Sequence, residues 1–593
     1  MDVKHNSWVF PHSAPYSVID GASDALRALL TACQTELPGA IFRHVNDVVF
    51  TTTSPNGDVV HFPTPLREQD VAVAIKALEA CTIAAIATLQ HDVRVRARKS
   101  IEVDLDKTSC FLMSAYLCTI DGMDKANPKA KSKIPDTDLN AAQSVLYRRL
   151  SANLYETKNP GEFYHIHGSL NASDTLRMIG LPAYDPKLVG YRDCINTIER
   201  AVKTFSVAEL EKKNQRYRQA GIPALTWKGF RGTSHGKALL SLPPLTVRPM
   251  ETSTPCVPFD SSGSRYALRG IKVLEMCRVI AGPTIGRSLA AHGASVLKVT
   301  SPHLPDVPFF QVDVNTGKHA TALDLRNSPA DRAVFEALLA DADVVIDGYR
   351  PGALARLGYS PEVLSDLAER RGRGFVYVAE DCFGGTGVPG AEWAGRPGWQ
   401  QIADCVTGVA WAQGKFMGLT EPVVPPFPMS DYGTGALGAV AAMAGLYRRA
   451  TQGGSWICRT SLCQYDVFVM SLGPLPAEEQ ERLRQVHDAD FFELRHNDSV
   501  DEVGRRALLS MKRVAPHLFK DEMMHTAWST GFGADLTWPR EAIRVSGLRI
   551  GHVRAARPNG FDAPGWEDWE EDEEITLDVD GNDGGQAGPL LRA

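Results

Sequence analysis

No CxxC pair occurs among the eleven cysteines of this 593-residue sequence, which scatter from Cys33 to Cys463. Such scatter excludes a zinc ribbon and a small disulfide-stapled fold, and it predicts mostly buried thiols in a reducing, cytoplasmic compartment. Uninterrupted apolar runs of the roughly 20 residues that span a bilayer are also missing. The most apolar windows, 71–90 and 435–446, carry Lys76 and Glu79 or end too soon. The start, MDVKHNSWVFPH, has no basic region ahead of an apolar stretch, and the final LLRA is no retention or peroxisomal signal, so a soluble protein without a membrane role is expected. Excess positive charge is absent as well: the net charge is −7, with eleven acids against Arg592 in residues 561–593. That balance argues against a nucleic-acid partner, and Arg94, Arg96 and Arg98 alternate as one solvated strand face would. The acidic run EDWEEDEE reads as a solvated tail over 561–593.

What the chain does have is 44% apolar, 22% charged and 8% aromatic residues, enough for a large core divided among about three to five structural units. Residues 242–267, rich in Pro, Ser and Thr and without strand or helix periodicity, read as a linker between two halves. Beyond it, short β-type runs alternate with amphipathic stretches. Strands are expected at Ile271–Glu275, Ser295–Val299, Thr321–Leu325, Asp343–Ile346 and Gly374–Ala379, with helices to His292, over Asp331–Leu339 and over Pro361–Arg370. The expected fold class is α/β, a doubly wound parallel sheet in a Rossmann-like large domain, with a smaller α/β domain. A weak repeat joins the halves, because 77–114 and 436–471 both read helix, basic turn, strand, helix. The resulting division is 1–241, linker 242–267, 268–475, a helical segment 476–560, and the tail.

Two GxGxxG matches, Gly385–Gly390 and Gly433–Gly438, fail as dinucleotide sites. Pro389 and further Gly and Pro follow the first where a helix should open, and VVPPFPMSDY precedes the second where a central strand should stand. His165 and His167 share one face of a strand as two metal ligands could, but without a third ligand a polar strand face near a domain edge is the better reading. The segment PMSDYGTGALGAVAAMAGLYRR, 428–449, is more informative. Ser430 or Asp431 can cap its helix, whose macrodipole would keep the Asp431 carboxylate ionised. Asp431 is then either a cap alone or an ionised carboxylate left available, and Gly433, Gly435 and Gly438 would let a ligand or another backbone come close.

In six segments, LRGIKVLEMCRVIAGPTIGRSLAAHGASVLKV, NTGKHATALDLR, ADVVIDGYRPGALARLGY, FVYVAEDCFG, AGRPGWQQIADCVTG and SDYGTGALGAVAAMAGLYRRATQGG, residues 268–471 resemble the family III CoA-transferases, the group of formyl-CoA:oxalate transferase, carnitine CoA-transferase and α-methylacyl-CoA racemase. The first half resembles the distal part of the same fold in degenerate form, with Ala72 where Asp431 stands. The resemblance implies Asp431 as nucleophile: it attacks an acyl-CoA, released CoA converts the anhydride to an aspartyl-CoA thioester, and a carboxylic acid acceptor takes the CoA. It implies CoA contacts at Ile280, Ala281, Leu323, Asp324, Leu325, Arg326, Gly348, Tyr349, Arg350, Arg356, Gly398, Trp399, Gln400 and Gln401, with Arg356 the foremost phosphate ligand. No metal and no cofactor beyond the CoA thioester substrate are implied, and an interlocked arrangement, within the chain or as a homodimer, is. Thr300 and Ser301 replace the family's acid and arginine after the second strand. Trp399 and Gln400 stand where the racemase branch has histidine and aspartate, which favours transfer over racemisation. A racemase and a non-catalytic pseudoenzyme are the alternatives.

Overall fold

Val273, Leu274, Val296, Leu297, Val344, Ile346, Val376 and Val378 are all buried, as continuous β-branched and aliphatic runs must be when both faces of a parallel sheet are covered. The computed structural model describes residues 16–567 and 569, apart from 91–99 and 262. Arg94, Arg96, Arg98 and most of the acidic tail lie outside the described residues.

In chain order, the first half contributes α1 (Val18–Ala32), β1 (Val48–Thr51), α2 (Glu68–Gln90), β2 (Ile101–Asp104), α3 (Leu105–Leu112), β3 (Phe163–His167) and β4 (Leu245–Glu251). The second contributes β5 (Lys272–Met276), α4 (Ala281–Ala291), β6 (Ser295–Thr300), β7 (His319–Ala322), α5 (Pro329–Asp341), β8 (Val344–Asp347), α6 (Pro361–Arg371), β9 (Val376–Asp381), α7 (Gln400–Thr407), α8 (Met429–Gln452), β10 (Ser455–Ser461) and α9 (Leu462–Ser471). Near the C-terminus follow α10 (Val500–Val514), β11 (Met524–Ser529), β12 (Ala534–Pro539) and β13 (Ile543–Val545). Local chemistry fixes the helix ends. Ser328 and Ser360 accept from Asp331 N and Val363 N with prolines in the first turns of α5 and α6, and Gly372 closes α6 at φ 64°.

Seven strands form the large sheet in the order β7-β6-β5-β8-β9-β10-β4, parallel except for β4. The α/β doubly wound expectation holds, with three differences. Residues 242–267 are not all linker, because β4 pairs antiparallel with β10 at the sheet edge, the place where Pro249 costs no ladder bond. The 476–560 segment is not all helical: β11 and β12 form a hairpin whose Thr526 and Thr537 hydroxyls meet at 2.8 Å, and β13 joins a second sheet. Strand β7 ends at Ala322 rather than Leu325, since Asp324 Oδ1 accepts from Arg326 N and Asn327 N and turns the chain.

The repeat is structural. In the small sheet β1 runs parallel to β2 and β13 antiparallel to it, as β9 and β4 flank β10. Each sheet therefore borrows its antiparallel strand from the segment that follows the other half. Helices α2 and α8 occupy equivalent places and pack on each other. By length and composition alone α2 could cross a membrane, but it lies inside the protein, where Lys76 Nζ and His292 Nε2 both reach Glu79 at 2.9 Å.

Candidate active site

Strand order reverses between β5 and β8, and at such a switch point the loops leaving the C-terminal strand ends part to form a crevice. A cavity of about 600 Å³ opens there, lined by Arg278–Ala281 after β5, Gly348–Pro351 after β8, and Glu380–Cys382 at the end of β9. Gly398, Trp399, Arg356 and Asp431 complete this part of the wall, and the first half adds Ser169, Tyr217, Arg218 and Gln219. A smaller cavity of about 90 Å³ shares Asp431, Ile280 and Trp399 and extends to Gln400, Gln401 and His167. Of the expected CoA-contact residues, Leu323, Asp324, Leu325 and Arg326 line neither cavity. They stand one layer behind, where His303 of the large cavity meets Asp324 at 3.1 Å.

Asp431 sits inside the first turn of α8, after the N-cap Pro428, and caps nothing. Its neighbours are fixed: Ser430 Oγ donates to Asp404 Oδ1 at 3.1 Å, and the Tyr432 hydroxyl accepts from Ala115 N at 2.8 Å and donates to Asp313. No ion pair or hydrogen bond engages the Asp431 carboxylate among the described residues, and burial pushes its pKa up to about 7. Burial thus opposes the ionised state expected from the sequence. The glycines serve close packing by the protein itself. A Cβ would fall 2.0 Å from the Tyr465 ring at Gly433, 2.5 Å from Thr284 Cβ at Gly435, and 2.6 Å from Ile285 Cδ1 at Gly438, so α4 and α9 press onto α8.

One wall is cationic. Burial and the nearby Arg278 and Arg356 hold the Arg350 pKa below its ordinary value, and no acid pairs with Arg350 or Arg356 among the described residues. Arg278 lies over the Tyr349 ring at 5.4 Å. Thr300, at the place of the family's charged pair, donates to Thr321 O at 2.9 Å and adds no charge. Val279 at φ 71° and Phe427 at φ 63° take left-handed backbone on either side of the site, a strain that packing must hold in place.

Trp399 stacks on His167 at 5.6 Å and donates to Ser169 Oγ at 2.7 Å. His167 Nδ1 accepts from Ser169 N at 3.0 Å, which leaves Nε2 to donate to Gln401 Oε1 at 3.4 Å. His165 and His167 are both buried rather than on an edge face, and burial keeps both rings neutral. A separate buried group, His61, Asp106 and His517, brings three donor atoms within 4.8 Å of one another. Hydrogen bonds account for it, since both Nε2 atoms reach Asp106 Oδ1, at 3.3 and 3.2 Å. All eleven cysteines are free and ten are buried, Cys256 being exposed.

Arg278, Val279, Arg218 and Glu380 were not singled out from the sequence. Two adjacent acids ending an apolar strand, as in VYVAED, were the available signal for the last of these.

The model of CoA-transferase family III matches residues 268–490. Over 521 residues the chain is 32% identical to an acetyl-coenzyme A transferase of Hypoxylon pulicicidum, covering 85% of this chain and 86% of that one. The chain belongs to CoA-transferase family III. An acyl-CoA transferase of Gibberella moniliformis is 30% identical to this family III enzyme over 487 residues, 81% of this chain and 84% of that one. The crystal structure of a CAIB/BAIF family protein from Brucella suis matches at 20% identity and a TM-score of 0.34, over 49% of this chain and 96% of that one. Both long alignments extend into the first half of this CoA-transferase, beyond the residues that the family model matches.

Proposed function

We propose that this CoA-transferase moves CoA from an acyl-CoA to a carboxylic acid through an aspartyl-CoA intermediate on Asp431. One observation carries the reading: a carboxylate without a partner among the described residues, its pKa near 7, on the wall of a cleft that also holds Arg278, Arg350 and Arg356. Arg278, Arg350 and Arg356 would bind the phosphates of CoA, with Arg356 the foremost ligand, while Ile280, Ala281, Gly348, Tyr349, Gly398 and Trp399 flank the pantetheine arm. Gln400 and Gln401 would face the acyl group or acceptor acid in the smaller cavity, and Leu323–Arg326 would meet CoA only at the outer rim. A desolvated carboxylate attacks a thioester carbon more readily than a hydrated one, and the exchange is split into two covalent steps. Trp399 supplies no base for an α-proton, so transfer is preferred to racemisation. The test is intact mass after incubation with acetyl-CoA and hydroxylamine. An aspartyl hydroxamate at residue 431, absent in Asp431→Ala, is expected; an unmodified wild-type chain across a panel of acyl-CoAs would sink the reading.

A further inference from the structure

Glu380, the last residue but one of β9, stands on the wall that also holds Asp431, and the mechanism so far leaves it without a task. Its side chain is 8% exposed, and no hydrogen bond or ion pair engages its carboxyl among the described residues. Two glycines make room for it: a Cβ on Gly348 would lie 3.3 Å from Glu380 Oε2 and one on Gly282 3.5 Å away. The carboxyl thus sits between the first turn of α4 and the loop after β8, at the switch point itself. Its surroundings are acidic. Asp381 beside it, Asp347 at the end of β8 and Asp431 on α8 all oppose a charge there and the buried Cys277 thiol lies beneath, while the N-terminus of α4 and the cationic Arg278 and Arg350 of the same cleft favour the ionised form. Burial and these acids push its pKa well above the ordinary carboxylate range, which favours the form that carries its hydrogen. A carboxylic acid held neutral in an apolar site is a hydrogen-bond donor, and donors aimed at a developing oxyanion are among the strongest contributors to acyl transfer.

We propose that Glu380 is a catalytic residue that donates its carboxyl hydrogen in a hydrogen bond to the carbonyl oxygen of the acyl thioester while Asp431 attacks the carbon. The inference rests on the Asp431 reading above. In the step, an Asp431 Oδ–C bond forms and the carbonyl π electrons move onto oxygen, where Glu380 stabilises them. They return as the C–S bond breaks and CoA leaves as thiolate. The proton stays on Glu380 throughout.

The experiment is the rate of hydroxamate formation at residue 431 with acetyl-CoA and saturating hydroxylamine, from neutral to alkaline pH, in wild type, Glu380→Gln and Glu380→Leu. Glutamine keeps a donor of the same shape that cannot ionise. We expect wild type to lose activity toward alkaline pH as Glu380 ionises, Glu380→Gln to retain neutral-pH activity within about tenfold and to lose that alkaline limb, and Glu380→Leu to fall by about 10²- to 10³-fold. An unchanged alkaline limb in Glu380→Gln, a wild-type profile flat across the range, or a Glu380→Leu rate equal to wild type would overturn the role of Glu380. Absence of any hydroxamate in wild type would instead overturn the Asp431 mechanism, so the two failures are distinguishable.

Discussion

In the mechanism proposed above Asp431 has to be charged to react, yet its burial favours the neutral form, and this opposition would set both pH behaviour and stability. Hydroxamate formation should fall about tenfold per pH unit below the pKa near 7, because only the ionised carboxylate attacks. The stability effect has a definite sign. The folded chain retains a proton to about pH 7 that the unfolded chain releases near 3.8, so stability declines as pH rises between those values and stays reduced above them. Asp431→Asn removes the titration and should stabilise the protein above neutral pH but not in acid. Holding the carboxyl at about 7 rather than 3.8 corresponds to about 4 kcal/mol, which the open side of the cleft reduces to about 2 kcal/mol. Urea denaturation of both proteins at mildly alkaline and at acidic pH checks this; an equal difference at both would contradict it.

The contact between α4 and α8 converts core packing into site geometry. Gly435 lies 2.7 Å, measured from its virtual Cβ, from Ala281 O, the start of the loop and helix that line the cleft. Gly435→Val should therefore cost about 1–3 kcal/mol in chemical denaturation and also raise the KM for acyl-CoA by displacing Ile280 and Ala281. A stability loss with an unchanged KM would show that the helix start is held independently. The same packing explains what could be read in advance. Strands buried on both faces, such as Val344–Asp347, announce themselves as apolar runs, and the α5 and α6 starts are written in their Ser-Pro pairs. The place of Asp431 at the start of a long helix was legible because that helix is distinctive in sequence. Edge strand β4 was not, since one side faces solvent and Pro249 reads as loop. Glu380 was hidden because an acid at a strand end resembles a solvated turn unless the opposite wall is known. The ionisation of Asp431 was misjudged for the same reason: a helix dipole is visible in sequence, but desolvation by distant segments is not.

Across the whole molecule, β4 and β13 tie each half to the sheet of the other, and α2 lies against α8 in the common core. Neither half can open without unpairing a strand of its neighbour. Calorimetry should accordingly give one transition in which calorimetric and van't Hoff enthalpies agree, unusual for a chain of 593 residues. Two resolved transitions would mean that the exchanged strands couple the halves only weakly. Ala72, buried on α2, gives this duplication a division of labour. The copy that lacks the aspartate still supplies Ser169, Tyr217, Arg218 and Gln219 to the cleft wall. The carboxylate at 431 and part of the wall around its guest are thereby encoded in different stretches of one gene, and a mutation in the earlier stretch can reshape that wall while leaving the carboxylate in place.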